Sequence, residues 1–327
     1  LDHLSGLRST IFHEPWWMEI ACDGGYREAT VSSGGKIVGR LPYNISRKPF
    51  GLTVLGMPLM THVLGPALAA QHDRNATTHT AKQVTIVHEL IAQLPPAAHV
   101  SFRLHGGLAN TLAFDTAGFA NTASFTVEIA PNPSELIWLQ MRDKTRNVIR
   151  RAQEQLTTVE LPDPAAFLDF YEDNLRERGR VNQYSRDICA GIIAECLKRG
   201  VGRILQTVTA AGAAQSAVFT VWDRTTEYYF MSTRTQKSMN GAVSLAIWTA
   251  IQHAAAKGLT FDMDGLHVKD AALPNVHLLT GFGGTVKPRY VVRRTSPVLR
   301  AARAIADISV WQAKRRLSFQ SRLPVAA

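Results

Sequence analysis

Apolar and polar positions along this chain follow two rhythms. Where they alternate, a half-buried strand is expected; where apolar residues recur three and four apart, an amphipathic helix is expected. Residues 26–31 and 36–43 flank Gly34-Gly35, which predicts a hairpin. Residues 77–93 put Val84, Val87, Leu90 and Ile91 on one helical face, and Pro95-Pro96 ends that helix. Strands are expected over 99–104 and 124–129. Beyond Pro131-Asn132-Pro133 the pattern turns helical. Asn132 is the expected cap, with Pro133 at the first helical position and Glu135 at the third. A short helix over 134–141 and a second from Asp143 should follow. Two more are expected over 167–179 and 187–199, the first with Phe167, Phe170, Tyr171 and Leu175 facing a core. Strands over 203–209, 215–222 and 227–233 then form an antiparallel meander. A helix runs from Gly241 to Gly258, with Val243, Ile247, Ala250 and Ile251 inward. A strand over 261–264, an irregular polar stretch, Gly281-Phe282-Gly283-Gly284 and a strand over 288–292 complete the series.

That order predicts an α+β fold with a mixed, largely antiparallel sheet flanked by helices. Residues before 131 show a cruder version of the same alternation. The chain therefore divides into 1–131, 132–294 and a terminal segment 295–327. In that last segment Ser296-Pro297 opens a helix with an apolar stripe of Leu299, Ala302, Ile305 and Ile308. It packs back on the first part, or contacts RNA or a membrane surface. The run from Lys48 to Asp73 is uncharged, but glycines and prolines interrupt it, so no membrane-spanning helix is expected there. It either lines a cleft or packs as an irregular core loop.

Composition narrows the picture little: 46% apolar and 19% charged residues are those of a globular chain with a substantial core. Charge changes it more. The net +10 favours an anionic partner such as tRNA, a phosphorylated donor or an anionic membrane. After Asp270 the only acid is Asp307, among ten basic residues. The helix from Asp143 carries Arg142, Arg146 and Arg150 on one face and Lys144, Asn147 and Arg151 beside it. It is a solvated face or an anion contact. Cys22, Cys189 and Cys196 are odd in number and lack CxxC spacing, as expected of reduced thiols in a cytoplasmic protein. His62, His72, His79, His88, His99 and His105 lack metal-site spacing, so no metal is expected.

The strand that ends in Asp262, Asp264 and Gly265 presents acids at its tip, and the glycines at 281, 283 and 284 permit positive φ and close approach of backbone to a ligand. Three stretches carry a resemblance. Leu139–Gln153, LQMRDKTRNVIRRAQ, is similar to a "K-x-R-N-x-I-R-R-A" segment; TFDMDG at 260–265 to a "Y-D-F-E-G" strand end; FGGTVKPRY at 282–290 to "F-G-G-x-x-x-P-Y-Y". Together they resemble the FemABX-like branch of the GNAT acyltransferases, the peptidoglycan-bridge aminoacyltransferases and their relatives, over roughly 12–292.

The resemblance implies tandem GNAT-like lobes with a cleft between them, and acyl transfer onto an amine. The acyl donor, aminoacyl-tRNA, acyl-CoA or an acylated carrier protein, is a co-substrate rather than a tightly bound cofactor. A non-catalytic scaffold with the same fold is the other class of reading. No GxSxG, P-loop or dinucleotide motif is present, and no covalent nucleophile is required. Asp264 is the first expectation for orienting or deprotonating the amine, and His267 the second. Lys269, or backbone N–H groups, would steady the oxyanion. Arg234, Asp262, Tyr229 and Tyr184 are expected to bind substrate, and Lys144, Arg146, Arg150 and Arg151 to contact phosphate or tRNA. The chain departs from the family at Leu279, where many members carry a Lys three residues before the F-G pair. The CoA loop is only echoed by Gln236 and Gly241, although a helix beginning at Gly241 could still hold a phosphate.

Overall fold

A computed structural model describes residues 6–70, 76–108, 110–264 and 273–301. The first part contains β1 (Leu7–Arg8), α1 (Pro15–Ala21), β2 (Tyr26–Ser33), β3 (Lys36–Lys48), β4 (Leu52–Gly56), β5 (Ala67–Ala69), α2 (Ala76–Ala92), β6 (His99–Arg103), α3 (Leu112–Thr116) and β7 (Ala120–Ile129). The second contains α4 (Ser134–Gln140), α5 (Asp143–Gln153), β8 (Leu156–Glu160), α6 (Pro164–Arg176), α7 (Arg186–Lys198), β9 (Gly202–Thr209), β10 (Ala214–Trp222), β11 (Thr226–Arg234), α8 (Ala242–Ala256), β12 (Thr260–Asp262), α9 (Leu273–Leu279) and β13 (Thr285–Thr295).

All these strands join one mixed sheet, in the order β1-β5-β3-β4-β6-β13-β7-β12-β11-β10-β9-β8, with β2 on β3. A unit recurs in it. Antiparallel strands β2, β3 and β4 lead through α2 to β6, which is parallel to β4; β9, β10 and β11 lead through α8 to β12, which is parallel to β11. The strands after each unit then change places. β13 pairs with β6, β7 pairs with β12, and the two pair with each other from Thr285↔Glu128 to Arg293↔Ala120. The expected arrangement, a separate sheet on either side of a cleft, is replaced by one continuous sheet. The exchange uses backbone groups that two sheets would leave as open edges.

Side chains on the meander strands alternate between two apolar layers because successive residues point to opposite faces. Ile204, Ala217 and Phe219 enter a core with Phe12, Trp17, Phe102, Phe167 and Phe230. Leu205 and Val218 enter the other, around Ile247, Ile251, Phe261 and Phe282. The first core draws on both parts of the chain. Cys189 and Cys196 are buried in it, and all three cysteines are free thiols.

Several local expectations shift. α4 starts at Ser134 with Pro133 as its cap; the Asn132 amide instead turns back to the Ala130 carbonyl at 3.4 Å, so the expected capping box does not form. β8 is a strand not expected from the sequence, and α9 occupies part of the stretch expected to be irregular. After β13 the Arg300 N–H bonds the Ser296 carbonyl at 3.0 Å, in keeping with the expected helix entry. The rest of the terminal helix expectation lies outside the described residues. Among the described residues no helix is long and apolar enough to cross a membrane.

Candidate active site

Where β11 and β12 separate, the sheet opens a cleft of about 770 Å³. Its floor is the end of β11, with Tyr229, Ser232 and Arg234; one wall is the first turn of α8, Ala242–Ser244; Asp264, His62, Tyr184 and Arg178 close the rest. Gly241 sets the position of that turn. It is the N-cap of α8 at φ +89°, and a Cβ on it would stand 2.7 Å from the Val148 carbonyl oxygen of α5. Only glycine allows both the left-handed backbone and the close approach. The first N–H groups of a helix have no acceptor within it, so this end of α8 suits an anion.

Asp264 sits two residues past the end of β12, at φ +41°, in the left-handed region that a non-glycine residue rarely adopts. Its backbone N–H donates to Asp262 Oδ1 at 2.9 Å. Arg103 Nη1 of β6 donates to Oδ1 at 2.7 Å, and His62 Nδ1 lies 3.1 Å from Oδ2. The three side chains are mostly buried, at 14% exposure for Asp264 and 18% for each of the others.

The sequence did not single out His62, yet its Gly/Pro-rich run was expected either to line a cleft or to pack as an irregular core loop. The run is irregular because its polar groups are claimed one by one. Trp17 Nε1 donates to the Met60 carbonyl at 3.2 Å; the Leu64 N–H donates to the Arg103 carbonyl at 2.7 Å and the Leu64 carbonyl accepts the His105 N–H at 3.0 Å. His13 Nε2 bonds the Gly65 carbonyl and His105 Nε2 the Pro66 carbonyl, each at 2.9 Å. Met60 is also held at positive φ, 59°. The His62 ring then stacks on Phe230 with centroids 4.4 Å apart. Five hydrogen bonds and the ring stack thus present one imidazole to the cleft beside Asp264.

Asp262 has a different place from the one expected. It is 3% exposed and does not line the cleft. Arg289 Nη2 donates to Oδ2 at 2.8 Å, Thr126 donates to Oδ1, and Arg289 also reaches Glu128. Burial pushes its carboxyl up, against the pull of Arg289. A carboxylate enclosed in this way cannot contact substrate without breaking its pairs; its acceptor on the Asp264 N–H makes it a positioning group.

The other expected residues divide. Tyr184, Tyr229 and Arg234, expected to bind substrate, line the cleft, and Arg178 joins them. The Tyr229 hydroxyl donates to Ser232 Oγ at 2.5 Å, and burial pushes its phenol up to about 12. Burial, then Cys189 and Asp264, push the Tyr184 phenol up. Both remain proton donors at neutral pH. Arg234 is exposed, with Nη1 3.3 Å from Ser238 Oγ. On α5, Lys144 and Arg151 are exposed; Arg146 pairs with Asp143; Arg150 stacks on Trp138 at 5.4 Å. His267 and Lys269 lie outside the described residues. Leu279 is buried and lines the cleft, so no cation comes from that position. The glycine cluster also reads differently. Cβ atoms on Gly281 and Gly283 would stand 2.5 Å from Thr145 Oγ1 and 2.6 Å from the Gln140 carbonyl. These glycines let the chain approach its own α4 and α5, rather than a ligand.

Comparison with known proteins agrees with this layout. Residues 140–266 match the acetyltransferase (GNAT) domain family, a span that holds β9–β12, α8 and Asp264. No curated protein sequence matches the chain. Among solved structures, FemX superposes with a TM-score of 0.62 at 11% identity, over 86% of this chain and 91% of its own. L-PGS from Bacillus licheniformis gives 0.51 at 10%, over 92% and 98%. A DUF2156 domain from Agrobacterium fabrum gives 0.55 at 12%, over 90% of each. At such identities the structures speak for the fold. Residues 140–266 thus carry the pattern of a GNAT acetyltransferase domain, and the chain as a whole has the fold seen in FemX.

Proposed function

We propose that the protein is an N-acyltransferase that forms an amide by moving an acyl group from an activated ester or thioester onto a substrate amine. The observation that carries this reading is the meeting of Asp264, His62 and the first turn of α8 in one cleft. The phosphate-bearing part of the donor lies at that turn, beside Arg234 and Arg178, with its carbonyl toward Asp264. The amine attacks that carbonyl. Its proton passes to the Asp264–His62 pair, the C–N bond forms, and the C–O or C–S bond breaks as the leaving group takes a proton from Tyr184. Backbone N–H groups steady the oxyanion. Asp262 and Arg103 hold Asp264 in its left-handed conformation. His267 and Lys269, as neighbours of Asp264 in sequence, remain part of the proposal.

The recurring strand–helix–strand unit supports reading 1–131 and 132–294 as two GNAT-like lobes that have exchanged β7 and β13. Aminoacyl-tRNA is the donor this reading favours. The net charge of +10 and the basic residues Lys144, Arg146, Arg150 and Arg151 support it. Acyl-CoA or an acylated carrier protein is the alternative, and the α8 turn would serve their phosphates equally. Radiolabelled acyl transfer from charged tRNA, with and without RNase, against transfer from acyl-CoA and acyl-carrier protein separates these. Product lost with RNase supports tRNA. Product from the thioester donors supports the alternative. No product from any donor leaves a non-catalytic scaffold.

A further inference from the structure

A second cavity, of about 700 Å³, lies beyond Arg103 from the cleft already described. It is built on β3, β4, β6, β7 and β13. Val100 and Phe102 of β6 enter the core, so Ser101 and Arg103 face the other way, as strand alternation requires. The register then sets Arg293 beside Ser101, and Val291 between Arg103 and Thr122. Asn44, Ser46 and Ser124 add polar groups. Among the described residues no carboxylate lines the cavity, and its charges are Arg103 and Arg293. Its chemistry is therefore that of a site for an anion, carboxylate or phosphate, on a molecule rich in hydrogen-bonding groups.

Arg103 lines the second cavity and bonds Asp264, which lines the first. One N–H bonds Asp264 Oδ1 at 2.7 Å, while the side chain lines the second cavity and retains its other guanidinium donors. We propose that Arg103 couples the two cavities: an anionic group bound in the second draws on the same guanidinium that restrains Asp264, and so frees that carboxylate to take a proton. The proposal rests on the acyl-transfer reading for its catalytic consequence, since it makes an anionic amine the preferred acceptor. The coupling itself does not need turnover. Asp264 and the bound anion compete for one cation, and such competition is reciprocal: removing either partner strengthens the other's hold. Arg293, at the exposed side, contributes to the anion and has no part in the Asp264 pair; its Nη1 lies 3.3 Å from Thr122 Oγ1.

The test is isothermal titration of the whole protein with inorganic phosphate and, separately, with malonate, which distinguishes a phosphate site from a carboxylate site. One of the two should bind the wild type. Arg103→Ala should abolish that event and Arg293→Gln should weaken it, whereas Arg234→Gln, in the first cleft, should leave it in place. Asp264→Asn should tighten it roughly tenfold, the scale of an ordinary coupling between sites. Circular dichroism of each variant checks that it is folded, and Arg293→Gln leaves the buried pair untouched should Arg103→Ala unfold. Binding of neither anion, or binding that ignores Arg293→Gln, overturns the site. Unchanged affinity in Asp264→Asn overturns the coupling. Because the readout is binding, a failure of acyl transfer itself would be recognised separately.

Discussion

Acid should loosen the loop that carries His62, and the size of the effect follows from two buried histidines. His13 accepts the Thr10 N–H at Nδ1, 3.1 Å away, and His105 accepts the Gly107 N–H at 3.2 Å. With Nδ1 an acceptor, Nε2 carries the proton that each ring donates to the Gly65 or Pro66 carbonyl. Both rings are thus held neutral, and a second proton would have to displace a backbone N–H. Burial pushes His105 down from 6.5 to about 4, and burial with the neighbouring His105 ring pushes His13 well below 6.5. The unfolded chain takes up these protons near pH 6.5 and the folded chain only at lower pH. Between those points the unfolded state binds more protons, so stability falls as pH falls. For His105 the drop from 6.5 to about 4 corresponds to about 3 kcal/mol, at roughly 1.4 kcal/mol per pH unit. Asp223 and Asp262, whose carboxyls burial raises, act in the opposite sense at the acid end, because the folded state protonates them first. The clean quantity is therefore a difference. Urea unfolding of the wild type and of His105→Gln, followed by tryptophan fluorescence from about pH 7.5 to about pH 4, should show the wild type's advantage shrinking by about 3 kcal/mol. A gap that stays constant across that range would refute the neutral clamp.

Gly241→Ala should cost about 3 kcal/mol, from a left-handed backbone and a Cβ 2.7 Å from the Val148 carbonyl oxygen. Gly212→Ala, at φ +80° with open space around it, should cost only about 1 kcal/mol; equal Tm losses would contradict the packing argument. Arg289→Met should destabilise by about 3–5 kcal/mol because it strands buried Asp262, whereas Asp262→Asn leaves Arg289 paired with Glu128 and should cost less. Thermal unfolding of both variants orders them. Replacing Arg150 and Arg151 by Ala should flatten the salt dependence of tRNA binding by roughly one to two counterions; an unchanged slope returns α5 to a solvated face.

Sequence rhythm found the meander, α8 and the paired short helices α4 and α5, because each buries a stripe or an alternate face along a regular element. It could not find the exchange of β7 and β13. That depends on which edges meet in space, and their alternation reads the same in either partnership. Asp264 was legible as an acid at a strand tip followed by glycine. His62 was not. Its run has no period, and what orders it are bonds from Trp17, His13 and His105, distant in sequence or masked as ordinary core residues. Asp262 and Asp264 shared one alternation and so looked equivalent. Only the position of Arg289, buried beneath the first and absent from the second, separates a positioning carboxylate from one that faces the cleft.

In the proposed reaction Asp264, with His62, handles the amine's proton. That role is tested most directly by single-turnover acyl transfer from whichever donor the wild type uses, compared with Asp264→Asn and His62→Gln. Asp264→Asn should lose about a hundredfold or more in rate and His62→Gln less, with donor binding close to wild type in both. Turnover by Asp264→Asn at the wild-type rate would contradict it.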